Sequence, residues 1–115
     1  MQKISSKKFD IVVTTNFKKE VKRLVKKYPS LKSDLLKLVE MLEDNPMQGI
    51  ALGKDCYKIR MAISSKRKGK SGGSRIITCV KLIASTVFLL SIFDKSEKEG
   101  VSDKELDELL KIAGL

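Results

Sequence analysis

The sequence has no histidine and only two cysteines, Cys56 and Cys79, among its 115 residues. Without histidine the usual neutral-pH proton carrier is missing, so any acid–base chemistry falls to Lys, Arg, Glu, Asp or Tyr. The cysteines form no Cys-x-x-Cys pair, and with no imidazole beside them they argue against a zinc site. No metal or cofactor is expected. In a reducing compartment they read as two buried thiols rather than a disulfide. Long apolar runs are also lacking: the longest, Val87–Leu90, is strand-sized and far short of a membrane span. Met1-Gln2-Lys3-Ile4-Ser5-Ser6-Lys7-Lys8 has no apolar signal-peptide core, so a cytoplasmic protein with no membrane partner is expected. One further absence is local: no acidic residue occurs between Asp55 and Asp94.

What is present fits one domain spanning residues 1–115, long enough to bury a real core without disulfide or metal. Lysine and arginine number 24 against 14 acids, a net charge of +10. Such a balance points to a polyanionic partner: nucleic acid, an anionic membrane or an acidic protein. Half of the acids lie from Asp94 onward, so the chain has a basic middle and an acidic end.

Phe9, Ile11 and Val13 alternate with Asp10, Val12 and Thr14, predicting a strand from about Lys8 to Thr14. Thr15 or Asn16 can cap the helix that follows, where Phe17, Val21, Leu24, Val25 and Tyr28 recur at helical spacing. Its lysine-rich outer face is a solvated surface or a second nucleic-acid contact. Pro29 ends this helix, and Ser30 or Ser33 starts a second one with Leu31, Leu35, Leu38, Val39 and Leu42 inside. Asp44-Asn45-Pro46 stops it. The short connection makes the two helices an antiparallel pair over one sheet face. Residues 47–55 read as a loop with two glycines. Strands follow at 56–63, 76–83 and 87–93, the last so apolar that it should be central or covered on both faces. Ser102 and Glu105 form a capping box, and Leu106, Leu109, Leu110 and Ala113 mark a short final helix. The expected fold is α+β, in the order β-α-α-β-β-β-α, with a helical hairpin on a mainly antiparallel sheet.

The middle of the chain carries the chemistry. Tyr57, Ile59, Met61 and Ile63 alternate with Lys58, Arg60, Ala62 and Ser64, the period of a half-buried strand. If the next strand pairs with it through a turn near Gly69–Lys70, Arg60 faces Arg75, Lys58 faces Ile77, and Cys56 faces Cys79. Two like charges opposite each other are destabilising. An anion between them would resolve the conflict, and arginine suits phosphate because its planar fork stays protonated. The other reading is that such charges keep a hairpin soluble and block edge-to-edge pairing.

The Leu-rich helical pair ending in Asn45-Pro46, the strand Tyr57-Lys58-Ile59-Arg60, the run Gly69-Lys70-Ser71-Gly72-Gly73-Ser74-Arg75-Ile76-Ile77 and the closing Phe93-Asp94-Lys95-Ser96-Glu97 resemble the RelE/ParE toxin superfamily. The likeness covers nearly the whole chain and is closest to the HigB-type branch. It implies a bacterial type II toxin, held inactive by a cognate antitoxin and touching operator DNA only through it. It also implies cleavage of mRNA on the ribosome, by attack of a ribose 2′-hydroxyl on the adjacent phosphate. In that reading Arg60 and Arg75 clamp the phosphate, and Lys58 or Lys95 moves protons. Lys66, Arg67, Lys68, Lys70 and Ser71 form an RNA-gripping loop, each neutralised phosphate adding about 0.7 to the salt slope on a single strand. The tyrosine that some members carry after the last strand is replaced here by Glu99-Gly100-Val101-Ser102. That leaves a lysine or Glu97 as fallback base, while Tyr57 falls on the core-facing parity. Two other readings compete: a gyrase poison resembling the ParE branch, and a non-catalytic basic RNA-binding module.

Overall fold

Residues 8–115 are described by a computed structural model; the amino-terminal reading of Met1–Lys7 lies outside them. The chain runs through β1 (Asp10–Val13), α1 (Thr15–Lys27), α2 (Leu31–Asp44), β2 (Ile50–Gly53) and β3 (Cys56–Met61). A 3-10 turn at Ser64–Lys66 leads to β4 (Ser74–Lys81), β5 (Thr86–Asp94) and α3 (Asp103–Ile112). The strands form one sheet in the order β1-β5-β4-β3-β2, parallel only where β1 meets β5. This is the mixed α+β arrangement expected, with one strand more. No helix among the described residues is long and apolar enough to cross a membrane.

The extra strand corrects the loop expected at residues 47–55. Ile50 and Ala51 pair with Lys58 and Tyr57, after which the register slips so that Gly53 meets Cys56. Glycine is needed at the entry: Gly49 has φ +87°, and a Cβ there would stand 2.2 Å from the Lys58 carbonyl oxygen. So short an edge strand, flanked by glycines, carries little of the period-2 signal.

The helices do not share one side of the sheet. Phe17, Leu24, Leu31, Leu38 and Leu42 of α1 and α2 pack with Ile59, Met61, Ile76, Val80, Val87, Leu89 and Ile92 on one face. On the other face, Leu106 of α3 covers Cys56, Ile77, Cys79, Leu90 and Phe93. Cover on both faces explains why β4 and β5 are buried almost throughout and why β5 reads as a continuous apolar run. The α3 start has its full capping box: Ser102 Oγ accepts from Glu105 N–H at 3.1 Å and Glu105 Oε1 accepts from Ser102 N–H at 3.0 Å.

Two local features differ from the sequence reading. Thr14, not Thr15 or Asn16, caps α1, its hydroxyl accepting from Phe17 N–H at 3.3 Å and donating to the Leu89 carbonyl at 2.7 Å. Asn16 is occupied elsewhere, for β5 carries a bulge at Leu90, where Ile77 pairs with Ser91 and Thr78 with Leu89. Asn16 Nδ2 donates to the Leu90 carbonyl at 3.0 Å, and Glu20 Oε1 accepts from Ile92 N–H at 3.2 Å and Ser91 Oγ at 2.9 Å. Helix α1 thus satisfies the backbone groups that the irregular ladder leaves over.

Candidate functional site

The β3–β4 register is the one the turn position predicted: Arg60 opposes Arg75, Lys58 opposes Ile77 and Cys56 opposes Cys79. These residues alternate with the helix-hairpin core of Ile59, Met61 and Ile76, so they lie on the α3 side of the sheet. The bulge in β5 brings Lys95 to the same side. Asp94 turns toward α1, where it meets Tyr28, and the alternate residues Phe93 and Lys95 therefore point the other way. Lys95 N–H donates to the Gly73 carbonyl at 3.0 Å, extending the ladder by one step beside Arg75.

The four are not equivalent in exposure. Arg60 is exposed and Lys58 and Lys95 are half-buried, but Arg75 is only 3% exposed. Its guanidinium donates to the carbonyls of Lys70 and Ser74 at 3.1 Å and of Ser71 at 3.2 Å. The like-charge conflict with Arg60 is thus eased by three backbone dipoles. Lys58 reaches the turn before α3, where a Cβ on Gly100 would stand 3.4 Å from its Nζ. Lys95 pairs with Glu99 at 3.4 Å. Glu97, the fallback base, lies 3.7 Å from Arg23 of α1, and Tyr57 packs against the helix-hairpin core as its parity required.

The cationic loop between the 3-10 turn and β4 is shaped by small residues. Arg67 has φ +57° and Gly69 φ +64°, both left-handed. Gly73 lies so close to β3 that a Cβ would stand 2.3 Å from the Met61 carbonyl oxygen. Arg67, Lys68, Lys70 and Ser71 are exposed. Lys66, Lys68, Ser71, Gly72, Lys95 and Ser96 line a pocket of about 410 Å³. A second cleft of about 230 Å³ lies between α2 and the end of β3, lined by Asp34, Lys37, Leu38 and Met41 together with Arg60 and Lys70, so Arg60 also borders the helix-hairpin side.

Sequence reasoning missed the acids that moor this loop. Asp34 of α2 accepts from Ser64 N–H at 2.9 Å, Ser64 Oγ at 2.5 Å and Ser30 Oγ at 2.9 Å. Burial pushes its carboxyl up, but these hydrogen bonds prevail and hold it below its ordinary value. Asp94, fully buried, accepts from Lys66 Nζ at 2.8 Å, from Ser96 N–H at 3.0 Å and from the Tyr28 hydroxyl. Here too burial acts upward and is outweighed, chiefly by Lys66 and Tyr28, so the carboxyl stays well below the usual range. The bond to Asp94 and burial push the Tyr28 hydroxyl up in turn. Lys66 Nζ also stands 5.5 Å from the Tyr28 ring centroid. Lys66 therefore turns inward, unlike its neighbours. The sequence signals for Asp94 are that it closes the long acid-free stretch and stands in the closing Phe93-Asp94-Lys95-Ser96-Glu97 run; neither tells that it is buried against Lys66 and Tyr28.

Both cysteines are free and buried; burial and the neighbouring Cys79 push the Cys56 thiol up to about 12, and burial raises Cys79 as well. Among the described residues no group of three His, Cys, Asp or Glu side chains could hold a metal ion.

Comparison with known proteins bears on the family and the fold. The family model described as the RelE toxin of the RelE/RelB toxin–antitoxin system matches residues 14–115. No characterised protein sequence is similar enough to stand as a relative. Among solved structures, an arginine-to-alanine double mutant of Escherichia coli RelE in the free state is 18% identical, with a TM-score of 0.60, over 90% of this chain and 95% of that one. The isolated E. coli RelE toxin is 23% identical, with a TM-score of 0.52, over 90% and 98%. The double mutant in complex with an antitoxin RelBc peptide is 23% identical, with a TM-score of 0.52, over 88% and 93%. These structures share the fold; the likeness to the HigB-type branch rests on the glycine-lysine motif alone. With the family model spanning all but the first strand and the amino terminus, the chain belongs to the RelE toxin family.

Proposed function

We propose that this chain is the toxin of a type II toxin–antitoxin pair and acts as a ribosome-dependent mRNA endoribonuclease. What supports it most is the β3–β4 register, which sets Arg60 opposite Arg75 with Lys58 two residues along β3, together with the exposed cations of the 67–71 loop. A ribose 2′-hydroxyl attacks the adjacent phosphorus, the bond to the 5′-oxygen breaks, and the products are a cyclic phosphate and a 5′-hydroxyl. This chemistry needs a proton acceptor, a proton donor and positive charge on the phosphorane. Arg60 supplies exposed, permanent charge; Lys58, two residues before it on β3, and Lys95, just past the end of β5, are the candidate proton carriers. Arg67, Lys68, Lys70 and Ser71 grip the message or ribosomal RNA, with Lys66 at the loop's root. The partners are the ribosome with its mRNA and a cognate antitoxin; the antitoxin is supported by the fold shared with the E. coli RelE double mutant, which is in complex with an antitoxin RelBc peptide.

The test is primer extension on ribosomes programmed with a defined message. Wild-type protein should give discrete new 5′ ends, and Arg60→Ala should remove them together with growth inhibition while circular dichroism is unchanged. Full activity in Arg60→Ala would remove the site. Inhibition of gyrase supercoiling with the message intact would favour the gyrase-poison reading instead.

A further inference from the structure

Cleavage through a 2′-hydroxyl needs a group that accepts its proton. An ammonium or a guanidinium offers donors and no acceptor, whereas an ionised carboxylate only accepts. The chain has no histidine, so a carboxylate or a tyrosine must be found near the cations. Both tyrosines pack against the helix-hairpin core, and the Tyr28 hydroxyl is bonded to Asp94. Asp94 itself is fully buried, and Glu97 lies beside Arg23 of α1. Glu105 is held by Lys98 and by the start of α3. Glu99 has a different setting. Its Oε1 stands 3.4 Å from Lys95 Nζ, and among the described residues it is the carboxylate that ion-pairs with one of Lys58, Arg60, Arg75 and Lys95. Its neighbour Gly100 abuts the other candidate proton carrier, since a Cβ there would stand 3.4 Å from Lys58 Nζ. Glu99 therefore sits in the turn between β5 and α3 with a lysine on either hand, its side chain 74% exposed and open to a ligand. So exposed an ion pair contributes little to stability.

We propose that Glu99 is the proton acceptor of the cleavage step, with Lys58 as the donor; the assignment rests on the function proposed above. The Glu99 carboxylate takes the 2′-hydroxyl proton as the 2′-oxygen bonds to phosphorus. The bond from phosphorus to the 5′-oxygen breaks, and that oxygen takes a proton from the Lys58 ammonium. The attacking and leaving oxygens lie roughly in line, on opposite sides of the phosphorus. Lys95, held against the acceptor, is on the wrong side to donate, and its part is to keep the Glu99 carboxylate in place. Cleavage leaves a cyclic phosphate, a 5′-hydroxyl, a protonated Glu99 and a neutral Lys58. Both residues reach solvent, and water returns the proton from one to the other.

The test is single-turnover cleavage of a ribosome-bound message by the full chain, comparing wild type, Glu99→Gln and Lys58→Ala. Each is run on ordinary RNA and on RNA whose leaving 5′-oxygen at the cut site is replaced by sulfur. A thiolate departs without a proton, so this substrate needs the acceptor and not the donor. Glu99→Gln should be slowed at least about 100-fold on both substrates. Lys58→Ala should be slowed by a similar factor on ordinary RNA and largely restored on the sulfur-containing one. Circular dichroism of Glu99→Gln should match wild type, because the side chain is 74% exposed. Its binding to an uncleavable 2′-O-methyl message should not weaken, since a negative charge has left a site that meets phosphate. Cleavage by Glu99→Gln at or above the wild-type rate would show Glu99 to be only a counter-ion of Lys95 and would overturn the proposal. A Glu99→Gln defect that sulfur restores would overturn it too, by placing Glu99 on the donor side. Failure of sulfur to restore Lys58→Ala would overturn the donor assignment. If wild type leaves the message intact, the function proposed above falls and the assignment of Glu99 falls with it.

Discussion

Replacing Asp94 with asparagine is the sharpest test of how the cationic loop is held. Asp94 is fully buried and the Lys66 side chain 10% exposed, so their 2.8 Å contact is shielded from water. Removing one partner of such a pair leaves a buried charge uncompensated, a loss of about 3–5 kcal/mol. Asparagine keeps the shape and one acceptor for Tyr28 or Lys66, which places the expected loss near the lower bound, about 3 kcal/mol. For a domain of this size that is a fall of roughly 12 °C in Tm. The pH dependence gives a second arm. The carboxyl is held below its ordinary value of 3.8 in the folded state, so its stabilisation is present above that value and fades as pH falls through it. The gap between wild type and Asp94→Asn should therefore be full at pH 7 and narrow below about pH 3.8. Urea unfolding across pH measures both. Adding Lys66→Met to Asp94→Asn, which removes the unpaired charge and keeps an acceptor for Tyr28 or Ser96, should recover stability to within about 1 kcal/mol of wild type. A loss under about 1 kcal/mol at neutral pH, with no narrowing in acid, would refute an inward-facing Lys66.

Other outcomes follow from single contacts. Gly73→Ala places a Cβ 2.3 Å from the Met61 carbonyl oxygen, so it should destabilise by at least about 2 kcal/mol in urea unfolding, backbone rather than a mobile side chain having to yield. Thr78 Oγ1 is buried with no hydrogen-bond partner among the described residues; Thr78→Val should be neutral or raise stability by up to about 1 kcal/mol in urea unfolding, and a clear loss would show that the hydroxyl is satisfied. With both thiols buried and the Cys56 thiol pushed up to about 12, iodoacetamide at pH 8 should label neither in the native protein and both in urea, as mass spectrometry would show. Ser102→Ala removes half of the α3 capping box and should cost about 1 kcal/mol in thermal unfolding.

Much of the fold was readable because it rests on local patterns. Helical spacing from Phe17 to Tyr28 and from Leu31 to Leu42 marks α1 and α2, and both run where that spacing ends, near Pro29 and Asn45-Pro46. The β3–β4 pairing followed from the turn position, since antiparallel register is a matter of counting once the turn is placed. What escaped the reading has long-range causes. Strand β2 is four residues long and owes its existence to pairing with Lys58 and Tyr57. Thr14 outcompetes its neighbours as cap because its hydroxyl also reaches Leu89, 75 residues away in sequence. Asp34 carries no motif, and the closing run that contains Asp94 does not tell its role; the importance of both lies in the serines, tyrosine and lysine that tertiary packing brings to them.

By itself the sequence determined the element order, the acid-free basic middle and the facing of Arg60 with Arg75, because each depends on periodicity, composition or a short turn. Tertiary structure decided which cations face outward. A one-residue bulge at Leu90, stabilised by Asn16 and Glu20 from a distant helix, inverts the alternation of β5 and so turns Asp94 inward and Lys95 toward Arg75. Lys66 and Arg75 are drawn inward by a buried carboxylate and by backbone carbonyls that only the folded loop assembles. Charge is written in the residues, but its direction depends on partners far along the chain.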